Sequence, residues 1–382
     1  MKKFLCFFIF LTTYFAYAQD SLNFIISNRV IWEEDTNKKE VFELYKNYFH
    51  SRPDSIYDNP FWNEAEKKQY FLFDFAAVSI YNGLNDEMLK QYLDFYVLSI
   101  EKYDTDKYTI RVLIQFKGGL QSGSSVWCIH IVSAIKENNS WRLQNHFVKE
   151  TANWKTYDFG VIRYHASPDF KFNETDAKKA KDFIEEIVQL FDLEQNIEID
   201  YYLAKDIDEL GRLQGFDYYF TGITTGRTMN NYIFSTFGEF YAHEFIHQLL
   251  KSEYKRNFIL EEGLAEFLGT KKQFPEKYFN WIKNLVADIF AFPEDYSLEN
   301  LFAHKATWRG YPYRYPFGAL LCEVIYEKKG LTGIKALAYS NTEDDLLEMV
   351  SDILEINQDE FEEVFLDFLN TGLREGRWNE SY

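Results

Sequence analysis

Residues 243–247 read His-Glu-Phe-Ile-His, and residues 261–266 read Glu-Glu-Gly-Leu-Ala-Glu. Two imidazoles four residues apart on a helix point to the same side, about one turn from each other. At that separation both reach a single zinc ion, while Glu244 sits beside the ion rather than on it. The second segment offers a third ligand from another helix. Together the two stretches read as a hydrolytic metal site.

The flanking residues predict helices for both. Thr236 and Glu239 have the spacing of a capping box, which starts a helix one or two turns before the motif. Phe240, Ile246, Leu249 and Leu250 supply an apolar stripe. In the second segment Leu260, Leu264, Phe267 and Leu268 are apolar, with Gly269 as the expected stop. The plain alternative is a pair of core histidines. The acidic motif that follows argues against it.

The two motifs resemble those of the gluzincin metallopeptidases, the group of thermolysin and the zinc aminopeptidases. Among them the likeness is to peptidase MA-like domains, whose second motif reads Glu-Gly-x-Ala-Glu. Glu262-Gly263-Leu264-Ala265-Glu266 matches every fixed position, and the likeness runs from about Val161 through the C-terminal helices. It implies a zincin-type (gluzincin) α+β catalytic domain with a mixed sheet and a helical lower half. It also implies one Zn2+ ion and the hydrolysis of peptide bonds. His243, His247 and Glu262 would be the metal ligands, and Glu244 the general base that takes a proton from the attacking water. Glu266 would hydrogen-bond a ligand histidine.

Two assignments stay open. Fourteen residues separate His247 from Glu262, and eighteen separate it from Glu266. Eighteen is the gap in the zinc aminopeptidases, which nominates Glu266 as ligand; a ligand immediately preceding Gly-x-Ala nominates Glu262, the preferred choice. Glu261 is the weakest of the three, turned about 100° away from its neighbour on a helix. For the oxyanion donor the resemblance points to a Tyr or His of the helical half. Tyr311, Tyr313 and Tyr315 stand before a helix opened by Pro316, and Tyr315 is preferred. His304 is a second choice, and Arg314 is a candidate for a substrate carbonyl or carboxylate. The chain has 28 tyrosines, so packing is the default role for most of them.

One departure bears on substrate. Zinc aminopeptidases carry Gly-x-Met-Glu-Asn, whose Glu holds the substrate's amino terminus. The nearest likeness here, Gly226-Arg227-Thr228-Met229-Asn230-Asn231, has an extra residue and Asn in place of that Glu. An amide lacks the charge to pair with an ammonium group, so aminopeptidase activity is not implied. Residues 231–234 (Asn-Tyr-Ile-Phe) are expected to form an edge strand able to take up extended peptide backbone.

The first eighteen residues, with Lys2-Lys3, an apolar run and Ala16-Tyr17-Ala18, read as a secretory signal peptide cleaved after Ala18. Without them, 39 basic residues face 60 acidic ones, so the net charge moves from −19 to −21. That charge argues against nucleic acid and anionic membrane as partners; a peptide or protein substrate is what the resemblance implies. No later segment is apolar enough to span a bilayer, and the oligomeric state is open. For Cys128 and Cys322 the sequence leaves two alternatives, a disulfide or two buried thiols.

Residues 19–155 are expected to form a small α+β (cystatin-like) accessory domain, followed by the catalytic domain at 156–382. In the first, helices at 38–49 and 63–81, the latter ended by Gly83, precede an antiparallel meander of strands at 109–116, 127–132 and from 141. In the second, strands at 161–165 and 197–203 flank a helix at 175–191. Helices follow at 316–329, ended by Gly330, and at 343–354 and 359–369, the last ended near Gly372. The function expected is that of an exported zinc metallopeptidase. The alternative is an inert zincin that binds a peptide or protein without cutting it.

Overall fold

The computed structural model describes residues 22–32, 35–51, 59–81, 84–118, 125–194, 197–220, 222–223, 225–251, 256–303, 313–340 and 345–378. The expected leader at 1–18 lies outside them. The protein is mixed α+β with two mixed sheets. The chain divides into two compact units. One gathers residues up to 155 with 167–170 and 204–225; the other holds 156–166, 171–203 and 226 onward.

In the first unit, β1 (Asn23–Ile26) lies parallel to β2 (Leu93–Asp104). Strands β2, β3 (Lys107–Phe116), β4 (Val126–Glu137) and β5 (Ser140–Asn145) form the expected antiparallel meander. Tyr108, Ile110, Val112 and Ile114 alternate along β3 and are fully buried, the two-residue period of a strand with one face on a core. Against that face packs α1 (Asn37–His50), which buries Val41, Leu44, Tyr45, Tyr48 and Phe49 at helical spacing. The long β2 was not foreseen.

The expected helix at 63–81 is two short ones, α2 (Glu64–Gln69) and α3 (Ala77–Ile80). Asn145 on β5 is the reason for the break. Its side chain accepts from Phe75 N at 3.0 Å and donates to Phe73 O at 2.6 Å, taking backbone groups that a continuous helix would have used. Gly83 lies outside the described residues. Two short helices, α4 (Asp86–Tyr92) and α5 (Phe147–Glu150), stand before and after the meander, and segment 204–225 supplies α7 (Ile207–Leu213) and β9 (Phe216–Tyr219), which pairs antiparallel with β4.

The sheet of the second unit runs in the order β10 (Gly226–Met229), β11 (Tyr232–Ser235), β8 (Ile199–Leu203), β7 (Ile162–Ala166), β6 (Lys155–Phe159). Strands β11, β8 and β7 are parallel, and β10 returns antiparallel to β11. The crossover between β7 and β8 is α6 (Glu174–Phe191), capped by Asn173 and burying Ala177, Ala180, Phe183, Ile184, Ile187 and Phe191. The expected edge strand at 231–234 therefore lies inside the sheet. Asn230, at φ +54°, turns the chain so that β10 folds back and takes the edge.

From Ala242 onward the described residues are helical. α8 (Ala242–Leu249) leads to α9 (Phe258–Leu264), and α9 continues through a π-helical stretch, Ala265–Thr270, and one more turn, Lys271–Gln273. Then come α10 (Pro275–Ala291), α11 (Leu298–Phe302), α12 (Arg314–Ala338), α13 (Leu346–Leu354) and α14 (Gln358–Glu375). Gly330 breaks α12 with φ +61°, as its type allows, but helix resumes at once. Gly372 does not end α14; a Cβ there would meet Trp378 at 2.4 Å, and the left-handed cap is Gly376. Cys128 and Cys322 are both free and buried. No helix of the described residues is long and apolar enough to cross a membrane.

Candidate metal centre

Helix α8 begins at Ala242, later than the capping-box spacing predicts. Glu239 accepts from Asn173 N at 2.5 Å, at the start of α6, so it is not available to cap a helix of its own. The cap comes from another helix instead. Gln273 accepts from Ala242 N at 2.8 Å and donates to Phe240 O, closing a free N–H of the first turn. The expected stop at Gly269 does not end its helix, which runs on to Gln273; the glycine is there for a contact. A Cβ there would lie 2.8 Å from the backbone of Ala242 and His243, so only glycine lets the π-helical stretch approach the start of α8. Gly263 does the same against α12, where a Cβ would meet Gly318 C at 2.3 Å.

These approaches bring the motif residues to one point. His243 Nε2 and His247 Nε2 are 3.1 Å apart, and Glu262 Oε2 lies 3.2 Å from the first and 3.5 Å from the second. A tetrahedral zinc ion bound at about 2.0–2.1 Å needs ligand atoms roughly 3.3–3.4 Å apart, so this triangle has the right size. Glu262 Oε2 is buried and, apart from the two imidazoles it faces, has no hydrogen-bond donor on it, an arrangement that suits an ion between the three. The residues fit the metal.

The opposite ring nitrogens are held from behind. Glu266 Oε1 is 3.1 Å from His243 Nδ1, and Thr270 Oγ1 is 3.5 Å from it. Glu261 Oε1 is 3.3 Å from His247 Nδ1. The structure thus sorts the two carboxylates left open by the spacing: Glu262 faces the shared point and Glu266 the back of His243. Burial works against every charge here, and pairing outweighs it. His247 is lifted to about 10 by Glu261 and Glu262. Glu262 is held at about 2 by His243 and His247. Four carboxylates around two imidazoles make a strongly electronegative spot, one that favours a bound cation.

Glu244, on the same turn as His243, is buried. Thr228 of β10 donates its hydroxyl to Glu244 Oε2 at 2.7 Å. Two residues along the strand, a Cβ on Gly226 would meet the Tyr241 ring at 2.2 Å and Glu244 Oε1 at 3.0 Å. The edge strand therefore lies directly against the Glu244 carboxylate. Tyr315, on the first turn of α12, has its ring 6.1 Å from that of His243, with the Arg314 guanidinium 5.0 Å above it. Tyr313 is buried, and Tyr311 and His304 lie outside the described residues.

Sequence reasoning missed Thr228, Gln273 and the contact of Glu261 with the back of His247, each of which acts through a contact distant in the chain. Tyr241, whose ring stacks near that of His243 at 5.9 Å, was missed too, although its place two residues before the motif could have drawn attention. The chain matches no protein-family model and no curated protein.

Proposed function

We propose that this chain is an exported zinc-dependent metallopeptidase with a zincin-type catalytic domain in its second unit. The observation that carries the proposal is the triangle of His243 Nε2, His247 Nε2 and Glu262 Oε2 with Glu244 beside it. A bound zinc ion would supply Lewis acidity and bring the pKa of its water toward neutrality. Glu244 is one residue from a ligand and held by Thr228, so it is poised to take a proton and later return it to the leaving amine. Tyr315, with its ring 6.1 Å from that of His243, would donate to the developing oxyanion.

The sheet topology supports the same reading. Parallel strands with a helical crossover, an antiparallel edge strand, the two-histidine helix and then an all-helical stretch follow one another along the described residues. Among these residues β10 has a sheet neighbour on one side only, so its outer edge can receive an extended peptide by main-chain hydrogen bonding. The small α+β unit, cystatin-like in the arrangement of helix on meander, would recruit or position that peptide.

The test is Glu244→Gln. It should keep one zinc per chain by elemental analysis and lose peptide hydrolysis by about 100-fold or more. Zinc-loaded wild type that cleaves nothing in a broad peptide library would sink the peptidase reading in favour of a peptide-binding zincin.

A further inference from the structure

Arg256 is a buried cation whose side chain is only 4% exposed, and each of its three nitrogens has an acceptor. Nε donates to Glu261 Oε2 at 2.5 Å, and Nη1 donates to Ala338 O, the last residue of α12, at 2.7 Å. Nη2 donates to Leu250 O, the carbonyl that closes α8. We infer that Arg256 and Glu261 form a strut that positions His247 and thereby sets the affinity of the metal centre. This inference rests on the metal reading of that centre.

The argument starts from the two faces of one imidazole. Glu262 Oε2 faces His247 Nε2 at 3.5 Å, while Glu261 Oε1 faces Nδ1 at 3.3 Å. Neighbouring helical residues point about 100° apart, the property that made Glu261 the weakest candidate for a ligand. That same rotation carries its carboxylate to the back of the ring. A carboxylate there accepts a hydrogen bond from Nδ1–H, which fixes the tautomer and leaves the Nε2 lone pair for an ion.

His243 and His247 differ in how this second contact is secured. Glu266, behind His243, is buried within the π-helical stretch and fixed by packing. Glu261 has a side chain 30% exposed, so without Arg256 it would be free to swing into solvent. Arg256 prevents that. Its other two donors tie the carboxylate to the C-terminal end of α8 and to α12, where orphan carbonyls favour a cation. One guanidinium therefore locks the ring angle of His247 and the end of the short helix that carries it.

Zinc binding to the full chain tests this, measured by competition with a chromophoric chelator, with thermal melting of the metal-free protein alongside. Glu261→Gln and Arg256→Lys should each weaken zinc binding by about 10- to 100-fold. Glu323→Gln is the control for general loosening. It breaks the ion pair with Lys271 at 2.6 Å, away from both histidines, and should leave zinc affinity unchanged. Wild-type affinity in Glu261→Gln overturns the strut, as does an equal loss in Glu323→Gln. If Arg256→Lys fails to fold, Glu261→Gln decides alone. A wild-type chain that binds no zinc would instead overturn the metal reading beneath it.

Discussion

Glu66 in the first unit is buried and accepts from Trp62 Nε1 at 2.8 Å, Asn63 Nδ2 at 2.8 Å and Asn145 N at 3.1 Å. Glu262 in the second unit is equally buried, but its neighbours are two imidazoles. Burial pushes Glu66 up to about 7 and Asp74 up to about 6, and it drives His130 down to about 3. In the second unit burial is outweighed, with Glu262 at about 2 and His247 at about 10. Neutral donors satisfy a buried carboxyl without keeping it ionised. Opposed charges keep it ionised, and four acids around two bases leave a demand for positive charge. The first arrangement is a polar core; the second is a socket.

The sharpest way to break this contrast is to remove a corner of the triangle. His247→Ala should take bound zinc from one ion per chain to none and abolish hydrolysis, while the pH behaviour of the first unit stays as it was. Gly263→Ala comes next, because its methyl would overlap the Gly318 backbone. We expect about 3 kcal/mol of destabilisation by urea titration, with weaker zinc binding because Glu262 is adjacent.

A smaller effect separates the polar core by pH. The folded Glu66 carboxyl keeps its proton up to about 7, whereas the unfolded one releases it near its ordinary 4.5. The native state therefore binds more protons in that window, and stability must fall as pH rises through it. Two to three units correspond to about 3 kcal/mol, and urea midpoints from pH 4 to 8 measure it. Glu66→Gln should flatten that slope without touching zinc content. A slope unchanged by the substitution would remove Glu66 from the account.

The least of the expected changes concerns Glu244, the proposed base. Thr228→Val should lower kcat about 5-fold, the worth of one hydrogen bond near 1 kcal/mol, with zinc affinity intact. Thr228→Ser should restore it. Steady-state kinetics on any cleaved peptide would detect both.

What could be read in the sequence was local. The 3.6-residue pattern at 175–191 and the alternation along 109–116 became α6 and β3 with small shifts at their ends. The histidine pair needed only its own spacing. What could not be read depended on a third party. Gly269 carries the signal of a helix stop, yet it is glycine because an added Cβ would lie 2.8 Å from the backbone of α8. Glu239 has a cap's spacing but serves Asn173, and the real cap, Gln273, lies 31 residues beyond the amide it meets. Residues 63–81 have helical periodicity until Asn145 takes their backbone groups. The π-helical stretch at Ala265–Thr270 has no pattern of its own, although Glu266 sits on it.

Segment 204–225 leaves the second unit after β8 and returns at β10, having given β9 to the first. No single cut can then release either half intact. A fragment starting at 156 would carry β9 with its partner strand missing and Phe216, otherwise 1% exposed, stripped of its core. Domain dissection of this protein has to splice out the loan, joining 203 to 226 through a short linker, before the second unit can be asked to stand by itself.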